Sequence, residues 1–264
     1  MKRRTYLSAF VAGGLGGCLS ERTEGDGPNT SNVTGSKLVP SENWTDEEIA
    51  DTAFDESATP ICVDGEAREG TVENHPGGTI TDHHFFHDQP TGRYGVRGRI
   101  EFHGGGYFQR ARATFIGSST EIAVADREFY QVTPGAYLFT IVAPEGNHAA
   151  VERYELDAPD GATADPGPTV EDGTELVKEG WGKLGEADGV SVYGAAATIR
   201  NASSVTGEGQ VIVEAVLDDE TVVQNEQGSV ELRPGETETF HFPYLRCDPG
   251  SVTEIQVQHS LFEL

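Results

Sequence analysis

The sequence predicts an all-β protein with two tandem β-sandwiches, on the basis of three observations. From about residue 60 onward, Gly, Pro and Asp turns recur at short intervals and helical periodicity is absent. Between the turns, apolar and polar residues alternate with the period of two that a half-buried strand requires. The pattern of strands and turns also recurs at an offset of 100 residues, which indicates a duplicated domain.

The clearest strand covers residues 210–218 and ends in a polar turn. One face carries only apolar side chains: Val211, Val213, Ala215 and Leu217. The opposite face mixes apolar and acidic residues: Ile212, Glu214, Val216 and Asp218. We therefore expect one face of this strand to line a core. Further along, alternating aromatic residues over 240–244 predict another strand.

The same plan appears earlier, over residues 111–141. The turn at 132–135 (Val-Thr-Pro-Gly) matches the turn at 232–235 (Leu-Arg-Pro-Gly) in step. The ungapped alignment pairs Ala113 with Val213, Phe115 with Ala215, Ile122 with Val222 and Pro134 with Pro234. Chance agreement of turns and apolar faces is the alternative, but a duplication explains both together. The sequence thus predicts sandwiches at 61–157 and 176–264.

A linker is predicted between the two sandwiches, at residues 158–175. This stretch is rich in Pro and Gly, acidic and poor in apolar residues, which favours an extended and semi-flexible chain. Trp181 follows it, and we expect this side chain to pack on the second sandwich. An exposed aromatic that binds a ligand is the alternative.

The first eighteen residues have the order of an export signal. A basic start that includes Arg3 and Arg4 precedes an apolar run too short to span a bilayer. Arg3-Arg4 before Tyr6-Leu7 resembles the twin-arginine signal, whose cargo crosses the membrane already folded. Leu15-Gly-Gly-Cys18 resembles a lipobox, which implies that the thiol of Cys18 is lipidated and the preceding peptide is removed. An uncleaved apolar tail is the alternative to an exported protein anchored to the outer face of the cytoplasmic membrane.

Residues 19–60 are predicted to form a disordered acidic tether, because they contain too little apolar surface to offset the entropy of ordering. Within it, Thr45-Asp-Glu-Glu48 has the form of a capping box, so 46–53 is a candidate short helix. The candidate glycosylation sequons begin at Asn29, Asn32, Asn43 and Asn201. Three of them fall in the tether, which is typical of a glycosylated stalk.

Acidic residues dominate the composition, with 44 Asp and Glu against 18 Lys and Arg and a net charge of −26. Self-repulsion at this charge destabilises a fold at low ionic strength, whereas at molar salt the Debye length falls to about 3 Å. The whole pattern resembles haloarchaeal surface lipoproteins; an acidic secreted protein from another source is the alternative. A nucleic-acid partner is not expected, because phosphate binding needs a basic patch.

The chain has three cysteines. If Cys18 carries lipid, Cys62 and Cys247 remain as a pair in an oxidising exterior. A disulfide between them is one prediction, and two free or buried thiols are the other.

A histidine-rich segment is the densest candidate for metal chemistry. Five of the eight histidines lie in it: His75, His83, His84, His87 and His103. Imidazole is a ligand for zinc and copper, so the segment is a candidate site for either metal. On a strand, however, His83 and His87 are about 13 Å apart and His84 faces the opposite side, so a shared ion needs a loop or a neighbouring strand. Surface histidines beside the core residues Phe85-Phe86 are the alternative.

No catalytic residue is assigned, and we expect a protein that is not an enzyme. His103-Gly-Gly-Gly106 is similar to the oxyanion motif of lipases and esterases, but the sequence has no Gly-x-Ser-x-Gly nucleophile elbow. It also has neither a phosphate-binding loop nor the His-Glu-x-x-His zinc-protease pattern.

A Pro-Gly turn before an aromatic strand, behind a strand ending at Leu217-Asp218, resembles the FxLyD-type β-sandwich of prokaryotic surface lipoproteins over about 190–245. Leu217 stands where that family has Tyr. The resemblance implies an immunoglobulin-like fold with no established active site. We thus expect a non-enzymatic surface protein that binds an unknown envelope protein or ligand, or has a structural role. The alternative is a zinc- or copper-binding envelope protein that uses 75–103.

Overall fold

The computed structural model describes residues 32–37, 53–63, 65–144, 146–158, 170 and 173–263. The predicted all-β class is confirmed: these ranges contain fifteen strands and three short 3-10 helices, and no α-helix. Within the same ranges, no helix is long and apolar enough to cross a membrane.

The chain divides into two compact units. Residues 61–163 and 219–224 form one unit, which we call the first sandwich. Residues 1–60, 164–218 and 225–264 form the other, which we call the second sandwich. The strands of each unit lie in sandwich-like layers.

The first sandwich contains eight strands. They are β2 (Gly65–Glu66), β3 (Glu69–Glu73), β4 (Gly78–His87), β5 (Tyr94–Phe102), β6 (Gly106–Ile116), β7 (Glu121–Val132), β8 (Gly135–Val142) and β9 (Arg153–Asp157). In one layer β8, β5, β4 and β2 are neighbours in that order, and in the other β3, β9, β6 and β7. β3 runs parallel to β9, whereas β6 runs antiparallel to both β7 and β9.

The second sandwich contains six described strands and most of a seventh, β13, whose first three residues fall in the range 219–224 of the other unit. They are β1 (Asn32–Lys37), β10 (Thr174–Ala187), β11 (Val190–Asn201), β12 (Gly207–Val216), β13 (Val222–Leu232), β14 (Thr237–Pro243) and β15 (Glu254–Glu263). One layer has the order β10, β11, β14, and in the other β1, β15, β12 and β13 are neighbours. β1 runs antiparallel to β15.

Six strands have the same order in both sandwiches. The row β8-β5-β4 corresponds to β14-β11-β10, and the row β9-β6-β7 corresponds to β15-β12-β13. A 3-10 helix precedes the last strand in each case, at His148–Ala150 and at Pro249–Ser251. This repetition agrees with the repeat in the sequence and extends it to strands on both sides of the aligned region.

A Tyr-Gly pair on the second of the six strands is part of the repetition. The pairs are Tyr94-Gly95 and Tyr193-Gly194. A Cβ atom on Gly95 would lie 2.0 Å from the carbonyl oxygen of Ile141. A Cβ atom on Gly194 would lie 2.0 Å from the carbonyl oxygen of Phe242. Both positions therefore require glycine for a close backbone approach.

The two cores are filled with different side chains. The first core is mainly aromatic and contains Phe85, Tyr94, Phe102, Phe115, Phe129, Tyr137, Phe139 and Tyr154. The second is mainly aliphatic and contains Ala195, Ala197, Ile199, Val211, Val213, Ala215, Ile255, Val257 and Leu261. Trp181 is buried in this unit, where its ring meets Tyr244 edge-on at 5.1 Å and its Nε1 donates to the Pro249 carbonyl at 3.0 Å. This matches the expectation that Trp181 packs on the second sandwich.

The structure differs from the predicted tether in two places. β1 lies within 19–60 and pairs with β15 over six residues. Phe54 and Ala58 are buried in a cluster with Leu184 of the second sandwich. Pairing through the backbone needs little apolar sequence, which is why the polar composition did not predict β1. Most of the candidate helix at 46–53 is outside the described residues, and its last residue, Ala53, makes an isolated bridge instead.

The predicted linker at 158–175 is described only at its ends. Ala158 is buried, and its N–H donates to the carbonyl of Glu73 at 2.9 Å. At the other end, β10 starts at Thr174, two residues before the predicted start of the second sandwich. Residues 159–169 lie outside the described part of the chain.

Candidate functional site

The histidine-rich segment was the leading candidate site, and the structure gives its members different partners. His75 Nε2 lies 2.7 Å from a carboxylate oxygen of Asp157. His103 Nε2 lies 2.8 Å from the Thr79 hydroxyl. His84 is exposed on β4. His75 precedes β4 and His103 follows β5, so of these three histidines only His84 lies on a strand, and His75 and His103 have different partners.

His83 points toward the edge of the aromatic core. Its Nδ1 lies 2.8 Å from the Tyr154 hydroxyl, and the two rings meet edge-on at 5.6 Å. Burial lowers the pKa of His83, although the nearby Asp82 carboxylate acts in the opposite direction. Burial also raises the pKa of Tyr154. This pair is a neutral hydrogen-bonded contact, which suits packing better than proton transfer.

His87 forms the closest approach of two titratable rings. Its imidazole stacks on that of His148, with 3.4 Å between ring centroids and 16° between ring planes. Glu66 adds a carboxylate oxygen 3.7 Å from His87 Nδ1. The sequence does not predict the contact between His148 and His87, because the two residues meet only when the loop between β8 and β9 folds.

The predicted shared metal site is not formed by the five histidines. In the part of the chain that the structure describes, no group of three or more His, Cys, Asp or Glu side chains is arranged to hold a metal ion. The rings of His87 and His148 are stacked in nearly parallel planes. Two histidines that bind one metal ion must instead direct their ring nitrogens toward the same point. Zinc or copper binding therefore stays a prediction without a defined ligand set.

The outward face of β6 and β7 in the first sandwich is charged and ion-paired. Arg112 donates to both carboxylate oxygens of Asp126, at 2.7 and 3.2 Å, and this hydrogen bonding raises the pKa of Arg112. Arg110 lies 3.7 Å from the same carboxylate. At one end of the face, the rings of Phe108 and Tyr130 meet at 5.8 Å. The arginines are thus neutralised within the face, which argues against a simple anion site.

The corresponding face of the second sandwich is buried. On β12 it consists of Gln210, Ile212, Glu214 and Val216, each at most 8% exposed. Asn225 Nδ2 donates to Glu214 Oε1 at 2.8 Å, so the buried carboxylate has a hydrogen-bond partner. This face is covered in the folded chain and does not meet solvent.

The outer edge of β15 is the third surface of interest. Its other edge pairs with β12 along all ten residues. The outer edge pairs with β1 over residues 254–259, and Val170 N–H donates to the carbonyl of Leu261 at 2.8 Å. The edge is therefore closed by two segments that come from far away in the sequence.

Asn201 is incompatible with the predicted glycosylation when the chain is folded. The residue is fully buried, and its amide nitrogen donates to the carbonyls of Val205 and Leu232 at 2.8 and 2.9 Å. Its amide oxygen accepts from the backbone N–H and the hydroxyl of Ser203. The Asn-Ala-Ser sequence is thus an Asx turn whose side chain caps a loop rather than meeting an enzyme.

The remaining predicted residues are placed as follows. Cys62 and Cys247 are the cysteines of the described ranges, and both are disulfide-bonded. Asn32 begins β1. Arg3, Arg4, Cys18, Asn29 and Asn43 lie outside the described residues.

No protein family model matches the chain, and neither does any curated protein. Among solved structures, one of allantoicase is 13% identical and aligns 64% of this chain with 78% of its own, at a TM-score of 0.13. The tandem CBM22 domains of Xyn10C from Paenibacillus barcinonensis are 7% identical, with 71% and 86% covered and a TM-score of 0.18. Allantoicase from Saccharomyces cerevisiae is 11% identical, with 63% and 76% covered and a TM-score of 0.12. Likeness at this level assigns neither a fold nor a function to the chain.

Proposed function

We propose that the chain is a non-enzymatic surface protein of a halophilic archaeon, anchored by lipid on Cys18 to the outer face of the cytoplasmic membrane. Its two sandwiches are immunoglobulin-like and have a binding or structural role toward another envelope protein or ligand. The observation that carries this proposal is the six-strand order that occurs twice, in a chain whose first eighteen residues are predicted to be an export signal. Repeated sandwiches of this kind present faces, edges and loops to partners.

The strand order supports the immunoglobulin-like assignment. In that fold, strands A, B and E share one sheet, and strands C, F and G share the other, with C′ added in variable-type domains. If β4 to β9 are named A, B, C, C′, E and F in turn, then β4-β5-β8 is A-B-E and β7-β6-β9 is C′-C-F. The same names fit β10 to β15. β3 and β1 then occupy the place of strand G beside F, although both precede their sandwiches in the sequence.

The anchor is tested by Cys18→Ala in the full-length chain, expressed in a halophilic host. Without the thiol no lipid can be attached, so we expect the protein to move from the membrane fraction to the medium or to the soluble fraction. Ser20→Ala is the matched control, because it changes the same segment and leaves the thiol in place. Unchanged membrane attachment of the Cys18→Ala chain would refute the anchor.

The halophilic assignment is tested separately by salt dependence. Transfer from molar to millimolar salt lengthens the Debye length from about 3 Å to tens of Å, so the repulsion among a net 26 negative charges returns. We expect a lower melting temperature and a loss of the β-sheet circular dichroism. An ectodomain that keeps both signals in millimolar salt argues for an ordinary secreted protein.

A further inference from the structure

The outer edge of β15 is paired with β1, a short strand of mostly polar and small residues. β1 reads Asn-Val-Thr-Gly-Ser-Lys, with Val33 as its single large apolar residue. Gly35, near its centre, lowers the stability of a strand relative to Ala, because glycine loses more conformational freedom on ordering. A backbone ladder over six residue pairs attaches β1 to β15.

The same edge in the first sandwich is filled in a different way. There β3 pairs with β9 over five residues and runs parallel to it, whereas β1 runs antiparallel to β15. β3 is also close in sequence to its own sandwich, because it ends at Glu73 and β4 begins at Gly78. Two unrelated segments in opposite directions thus occupy the equivalent place, which shows that this edge accepts added strands.

The chain allows β1 to leave its own sandwich without disturbing the rest. Fifteen residues, 38–52, separate the end of β1 from Ala53, which makes a bridge with Glu186. A segment of that length spans up to about 50 Å when extended, which is enough to reach a neighbouring molecule. Among the described strands β1 pairs with β15 alone, so its release would break no pairing among β10 to β15.

We propose that the outer edge of β15 is a strand-exchange site, at which β1 of one copy of the chain pairs with β15 of another. The exchanged strand keeps the register that the structure gives it, so every backbone contact is recovered in the other copy. The proposal rests on the proposed lipid anchor in one respect: confinement to a membrane raises the effective concentration of neighbouring copies. Exchange of this kind would connect anchored molecules through their tethers.

Cysteine cross-linking tests the exchange directly. Val33 and Gln258 are register partners, so their Cα atoms lie within the range that a disulfide spans. Full-length Val33→Cys and Gln258→Cys chains are tagged differently, mixed in native membranes and oxidised. We expect a disulfide-linked heterodimer on a non-reducing gel, several-fold above the level from Val33→Cys mixed with Val205→Cys. Val205 is an exposed residue of the same sandwich and lies outside the edge, so it controls for random collision.

A single chain with both Val33→Cys and Gln258→Cys reports pairing within one copy. If this chain forms its internal disulfide while the mixture gives no heterodimer above the control, β1 does not exchange and the proposal is refuted. If neither sample cross-links, β1 does not pair with β15 and the proposal is refuted as well. Failure of the lipid anchor can be distinguished from failure of the strand exchange. A chain without the anchor leaves the membrane fraction, and its cross-link can still be measured in the soluble fraction.

Discussion

The two sandwiches share a framework and differ at their surfaces. In both, a Tyr-Gly pair allows one strand to approach its neighbour's backbone, and a Pro-Gly turn places a glycine at positive φ. The turn glycines are Gly135 and Gly235. In contrast, the outward face of β6 and β7 carries ion pairs, whereas the matching face of β12 is buried and carries one charged residue, Glu214.

The difference indicates which features a duplicated domain must keep. A close approach between backbones leaves no room for a side chain, so both copies retain glycine there. The side chains of an outward face depend on its surroundings, and these differ: Arg110 and Arg112 are partly exposed, whereas Ile212 and Glu214 are buried. Divergence between the two sandwiches is thus seen on their faces and edges.

The largest expected effect comes from filling the shared glycine positions. Gly95→Ala and Gly194→Ala each place a methyl group against a carbonyl oxygen that cannot move without breaking its ladder. We expect each to lower the free energy of unfolding by about 3 kcal/mol, the upper part of the range for overpacking. Gly104→Ala and Gly250→Ala are the controls, because nothing lies within 4 Å of their added Cβ atoms. Melting in molar salt measures all four, and equal effects at test and control sites would show that the repeated close approach is unimportant.

The aligned pair Arg112 and Ile212 tests the contrast between the two faces. Ile212 is 1% exposed, so Ile212→Ala removes buried apolar surface and should cost about 2–5 kcal/mol. The Arg112 side chain is 43% exposed, so Arg112→Ala should cost less than about 1 kcal/mol despite the ion pair with Asp126. Denaturant titration of both variants gives the two values. Similar losses would mean that the faces are equally buried in solution.

A smaller effect is expected from buried histidines. Burial lowers the pKa of His259 in the second sandwich and of His83 in the first. The unfolded chain therefore binds more protons than the folded chain just below pH 6.5, and the free energy of unfolding falls as the pH drops through that region. We expect His259→Gln to reduce this acid sensitivity. Unfolding at pH 7 and pH 5 measures the change, and an unaltered pH dependence of His259→Gln would exclude His259 as its source.

The smallest expected effect concerns metal. Six of the eight histidines belong to the first sandwich, yet the described ones are distributed among separate partners. We expect protein purified at high salt without chelator to hold zinc or copper well below one ion per chain. Elemental analysis decides this. A near-stoichiometric metal that is lost when His83, His84 and His87 are changed to Ala would instead favour the metal-binding alternative.

Much of the fold follows from the sequence because its signals are local. Alternation over 210–218 predicted a strand, and β12 covers Gly207–Val216. The Pro-Gly turns at 132–135 and 232–235 fall between strands, as predicted. The Tyr-Gly pairs at an offset of 99 residues are also visible in the sequence. Aligning them extends the repeated region toward the N-terminus.

The features that were missed depend on contacts between distant segments. β1 is specified by the edge of β15 more than by its own polar sequence. His148 becomes a partner of His87 only when a loop folds back onto β4. Asn201 matches a glycosylation sequon, but its side chain is buried and caps the turn that the three residues form. In each case the local sequence does not determine the role of the residues, because that role depends on segments that become neighbours only in the folded chain.

In the proposed lipid-anchored protein, the pairing of β1 would also set how far the folded part stands from the membrane. With β1 in place, only residues 19–31 separate the lipid site from the first ordered strand, a span of at most about 45 Å. With β1 released, residues 19–52 are available, and the limit rises to about 115 Å. In that anchored protein, the pairing or release of β1 would therefore change the maximum height of the folded part above the bilayer.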